Sequence, residues 1–94
     1  MNCSETVNVT PGKHYLFVYI WGNSFQSGSG WADDSYTLTG GNENLLIKTQ
    51  SSASNYYSGR IVTYVTATSN RISFSKTTGT HRGMVGSLIV IQLL

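Results

Sequence analysis

The sequence predicts an all-β fold, an antiparallel β-sandwich of about seven strands with a jelly-roll-like plan. Three observations lead there. Runs of β-forming residues recur between clusters of Gly, Asn and Ser, and apolar residues nowhere return at three and four over more than two turns. The chain is 94 residues long, which holds one small domain, 1–94, whose first five residues are expected to fray. With no helix to cover a sheet, the apolar sides of the strands must cover each other, so a single flat sheet is excluded.

The elements follow in order. A first strand over 6–9 is stopped by Pro11-Gly12, a pair suited to the middle of a type II turn because Pro sets the first φ and Gly accepts the positive second one. A strand over 14–21 leads into a long polar loop, 22–34, and a short strand over 35–39 reaches a turn at Gly40-Gly41-Asn42. Next come a strand over 44–49, a second polar loop over 50–59, and strands over 60–68 and 71–76. Ser69-Asn70 between these last two reads as a two-residue hairpin turn. A loop over 77–83 and a final strand over 84–94 complete the chain.

Composition narrows the functional classes. Only 11% of residues are charged and the formal net charge is +2, whereas 13 Ser and 11 Thr make the surface hydroxyl-rich and neutral. A nucleic-acid partner needs clustered Lys and Arg, and a disordered tail needs few large apolar residues; neither description fits. Cys3 is the single thiol and closes no intrachain disulfide. The first ten residues show no secretory signal, and the longest apolar run, 88–94, is too short for a bilayer-spanning helix, so no membrane insertion is expected.

The strand over 14–21 carries the most information. Alternation places Leu16, Val18 and Ile20 on one face and Tyr15, Phe17, Tyr19 and Trp21 on the other, and neither face is polar. The last strand repeats this. A strand covered on both sides in so small a domain points to a second chain, and the aromatic row Tyr15, Phe17, Tyr19 and Trp21 is the expected oligomer interface.

The order of a short Thr/Val strand, Pro11-Gly12-Lys13, a Tyr-led apolar strand, Ser/Gly/Asn-rich loops, Ile72-Ser73-Phe74, a Gly-bearing loop and a terminal Leu88-Ile89-Val90-Ile91-Gln92-Leu93 resembles the C-terminal head domains of bacteriophage tail fibres and related receptor-binding proteins. Trimeric heads of the tumour-necrosis-factor and complement type share the general plan. The resemblance implies a homotrimer, a cell-surface saccharide as partner, and a place on the virion tail fibre or another extracellular surface. It rests on order and pattern and supplies no motif from which to transfer ligand residues.

Catalysis has little to stand on. The two histidines, His14 and His81, are far apart in sequence, and there is no G-x-S-x-G, H-E-x-x-H, phosphate-binding loop or dinucleotide glycine pattern. The expectation is a protein that is not an enzyme, with no cofactor and no metal. Adjacent Asp33 and Asp34 point to opposite sides of an extended segment, which suits solvation better than calcium. Sugar binding needs an aromatic face beside planar amide, carboxylate and hydroxyl groups. Trp31, Asp33 and Asp34 in the first long loop and Asn55, Tyr56 and Tyr57 in the second supply those types and are the candidate ligand-binding residues; the same aromatics would serve equally as plugs pinning the loops to the sandwich. Arg60 and the Thr80-His81-Arg82 segment would suit an acidic saccharide.

The function read from the sequence is thus a non-catalytic, oligomerising head domain that recognises a bacterial surface glycan. A purely structural trimerisation or capping domain, or a monomeric carbohydrate-binding module from a larger enzyme, would fit the same pattern.

Overall fold

Long stretches of β-branched, aromatic and hydroxyl side chains keep the backbone extended, and the computed structural model describes residues 2–23, 36–53, 56–77 and 84–94. Among these residues there are seven strands and no helix: β1 (Asn2–Asn8), β2 (His14–Asn23), β3 (Tyr36–Thr39), β4 (Gly41–Ala53), β5 (Tyr56–Ala67), β6 (Arg71–Thr77) and β7 (Met84–Leu93). They form two antiparallel sheets, one of three strands in the order β1-β6-β3 and one of four in the order β4-β5-β2-β7. The two pack face to face as a sandwich, with β6 laying Ile72 and Phe74 against the inner side chains of β2 and β5.

Three boundaries differ from the sequence reading. Asn2 to Glu5 belong to β1 and pair with Thr77 to Phe74 of β6. Much of the supposed loop over 50–59 is strand, since Gln50–Ala53 pair with Gly59–Tyr56 and extend the β4–β5 hairpin. Ser69-Asn70 is not a hairpin turn, because β5 and β6 lie in different sheets and the segment carries the chain across the sandwich.

The Pro11-Gly12 turn forms as its chemistry dictates. Lys13 N donates to Thr10 O at 3.1 Å and Gly12 has φ +84°, the positive value a type II turn requires at that position. Gly40 lies at another change of sheet, between β3 and β4. Its φ is +96°, and a Cβ there would sit 2.0 Å from the Arg71 carbonyl oxygen, so both conformation and space demand glycine.

The core is the aromatic row of β2. Tyr15, Phe17, Tyr19 and Trp21 are buried within the single chain against Ile61, Val65, Ala67, Ile72 and Phe74. The expected oligomer interface is thereby corrected, because these four side chains face the opposing sheet of their own chain and present nothing to a second one. Large rings win this place because the gap between stacked sheets is about 10 Å, and only long side chains fill it from one side. Room is made for them by glycine: Trp21 lies between Gly59 of β5 and Gly86 of β7 in the ladder. The Tyr19 ring covers Gly86, where a Cβ would come within 2.0 Å of its hydroxyl. Each such buried ring stabilises the fold by about 1.5–3 kcal/mol relative to leaving it in water. Tyr19 tilts against Phe74 at 5.1 Å between centroids, and Phe74 stacks on Tyr36 at 5.5 Å, so a chain of rings joins the sheets.

Lys76 is fully buried, with its ammonium 4.7 Å from the centroid of the Trp21 ring. An indole face is the best aromatic acceptor for a cation, and a desolvated contact of this kind is worth about 2 kcal/mol.

Candidate functional site

The two outward faces of the sandwich have opposite chemistry. On the three-stranded sheet the outward positions carry hydroxyls: Ser4 meets Ser75 and Thr6 meets Ser73, oxygen to oxygen at 3.3 Å in both pairs, with Thr37 and Thr39 of β3 in register on the other side of β6. That sheet follows the apolar-in, polar-out rule. The four-stranded sheet breaks it.

Its outward rows follow from the register. Ile47, Val62, Val18 and Ile89 align across β4, β5, β2 and β7, and Tyr64, Leu16 and Ile91 align beside them. Ile47, Ile89 and Ile91 are 42%, 49% and 46% exposed, and Leu16, Val18, Val62 and Tyr64 are half-buried only by their neighbours. Toward one end the row His14, Thr66 and Leu93 closes the patch, His14 stacking on Tyr64 at 5.5 Å with its Nδ1 2.9 Å from Thr66 Oγ1. Toward the other end polar groups return in the row Thr49, Arg60, Ile20 and Ser87. Between these margins the face carries no charge.

Beside it, β4 carries a bulge between Leu45 and Ile47, which leaves Leu45, Leu46 and Ile47 exposed on the edge. Nearer the start of β4, Tyr36 Oη of one sheet donates to Glu43 Oε1 of the other at 2.5 Å. Thr63 Oγ1 lies 2.9 Å from the same oxygen and 3.1 Å from the Asn44 carbonyl, and its single proton goes to one of them. Burial, then the hydrogen bond to Glu43 and its negative charge, push the Tyr36 hydroxyl up to about 12. This is a clasp between sheets, and its polar groups are spent on each other.

The strand ends define one loop-bearing end. Asn23 at the end of β2 pairs with Tyr57 and Met84 near the starts of β5 and β7, and Ala53 at the end of β4 pairs with Tyr56. The Lys76–Trp21 contact brings the end of β6 to the same place. Segments 24–35, 54–55 and 78–83 therefore all join the sandwich there. Of the candidate ligand-binding residues, Trp31, Asp33, Asp34 and Asn55 lie outside the described residues. Tyr56 and Tyr57 open β5 at this end, as strand rather than loop. Just inside it a hollow of about 280 Å³ is lined by Ile20, Trp21, Thr49, Ser58, Gly59 and Arg60.

Among the described residues no three His, Cys, Asp or Glu side chains gather where they would hold a metal ion. Compared with protein-family models, with curated proteins and with solved structures, the chain matches none. Sequence reasoning found the two-faced strand but missed which face stays outside. The available signal was side-chain size: rings on one side against β-branched and Leu residues on the other, with glycines at 59 and 86 to admit the rings.

Proposed function

We propose that this chain is a non-catalytic sandwich domain that assembles with copies of itself through the outer face of its four-stranded sheet, and that it offers the loop-bearing end to a cell-surface glycan. This is the role expected of a fibre-head domain. One observation carries the reading: the uncharged apolar face of Leu16, Val18, Ile47, Val62, Ile89 and Ile91, beside a hydroxyl face that obeys the solvent rule on the other sheet.

A second copy is the occupant that suits it. The central rows hold no charge to steer a charged partner, and apolar rows are complementary to themselves. In the proposed trimer three copies turn this sheet toward a common axis. The glycan side of the reading is supported by the ends of β2 and β4 meeting the starts of β5 and β7 at one end of the sandwich, beside the hollow. A monomeric binding module is disfavoured by the same apolar face, which would stand in water.

The test is the particle mass in solution by light scattering. A trimer at micromolar concentration supports the proposal, and a monomer at every concentration up to millimolar removes it. A trimer that binds no member of a broad glycan array leaves the capping role instead.

A further inference from the structure

We infer that the hollow beside Arg60 is an anion-accepting saccharide subsite that takes a carboxylate-bearing sugar such as a uronate. The inference rests on the glycan reading of the loop-bearing end and narrows it to a place and a ligand class. The hollow lies on the polar margin of the outer face, beyond the apolar rows, so assembly through those rows leaves it at the edge of the contact.

Among the described residues its lining is rich in donors and contains no carboxylate. Arg60 is exposed, and neither a hydrogen bond nor an ion pair from any described residue engages its guanidinium. Thr49 stands directly across the ladder from Arg60, and Ser58 follows two residues before it on the same side of β5. A guanidinium offers two parallel N–H bonds to a carboxylate, and hydroxyls on adjacent strands suit the ring hydroxyls of a pyranose. Ile20, half exposed in the same row, supplies an apolar wall for the C–H side of the ring. A volume of about 280 Å³ lies near the lower bound for ligand pockets, enough for one sugar residue and not for a long chain.

The test uses the whole chain and its Arg60→Gln variant on an array of uronate-, sialate- and neutral-terminated oligosaccharides. In parallel, sodium glucuronate, sodium acetate and glucose are titrated against the backbone and indole N–H resonances. Expected are binding of acidic glycans by the native chain, glucuronate-induced shifts at Ile20, Trp21, Thr49 and Gly59, and at least a tenfold loss in Arg60→Gln. Thr49→Val should weaken binding severalfold with unchanged assembly, and Lys13→Gln, a charge change outside the hollow, should leave it intact. Acetate shifting the same resonances as strongly as glucuronate would reduce the site to an adventitious anion contact and overturn the proposal. Acidic or neutral glycans held equally by native protein and Arg60→Gln overturn the subsite while leaving the glycan reading standing. No binding to any glycan by a correctly assembled native protein overturns both.

Discussion

The indole of Trp21 packs against Gly59 on the neighbouring strand, so close that a Cβ at position 59 would come within 2.2 Å of the ring. The Lys76 ammonium, itself buried, lies 4.7 Å from the centroid of the same ring, so the indole sits in a filled core. Gly59→Ala should therefore destabilise the fold by about 2 kcal/mol or more, as overpacking of a rigid core does. Denaturant unfolding checks this; a change below about 0.5 kcal/mol would show that the ring has room to move.

The two faces of β2 predict opposite phenotypes. Phe17→Ala, inside the sandwich, should cost about 3–5 kcal/mol of stability, and Tyr19→Lys should prevent folding by placing a charge in the core. Ile89→Lys, on the outer face, should leave the circular dichroism spectrum unchanged and the melting point of the fold close to native, yet yield monomers. Light scattering beside thermal unfolding separates these results. An Ile89→Lys protein that stays oligomeric would place the contact elsewhere.

The clasp between the sheets predicts an alkaline limit to stability. Tyr36 holds its proton to about pH 12 in the folded chain, whereas in the unfolded chain it ionises near 10. A pKa raised on folding stabilises fully below pH 10, and that contribution is lost as pH rises toward 12. Stability should fall across this window, and Tyr36→Phe should fall less steeply. At neutral pH the variant should lose roughly 1 kcal/mol with the hydrogen bond to Glu43. Parallel slopes for the two proteins between pH 9 and 12 would count against the clasp.

Among the described residues, the two glycines with positive φ should not behave alike. Gly12 has open space around its Cα, so Gly12→Ala carries only the conformational cost of about 1 kcal/mol. Gly40 has the Arg71 carbonyl 2.0 Å from a would-be Cβ, so Gly40→Ala must also displace backbone of β6. Its cost should exceed that of Gly12→Ala by at least about 2 kcal/mol, the scale of an overpacked contact. Equal melting temperatures for the two variants would contradict the fold at this corner.

The sequence by itself determined the all-β class, the turn at Pro11-Gly12 and the two apolar faces of residues 14–21, because these follow from local conformational preference and from the period of two along a strand. It could not tell which of the two faces would turn inward. That depended on β6 crossing the sandwich to lay Ile72 and Phe74 against the rings of β2, and on glycines at 59 and 86, distant in sequence, opening space beside them. Ser69-Asn70 looked like a hairpin turn for the same reason: a short polar link is equally short whether it joins neighbours in one sheet or crosses to the other. The Tyr36–Glu43 clasp and the Arg60 hollow belong to the tertiary structure alone. Each brings together side chains from different strands, and a period of two fixes the side of a strand on which a residue stands but never the strand it will meet.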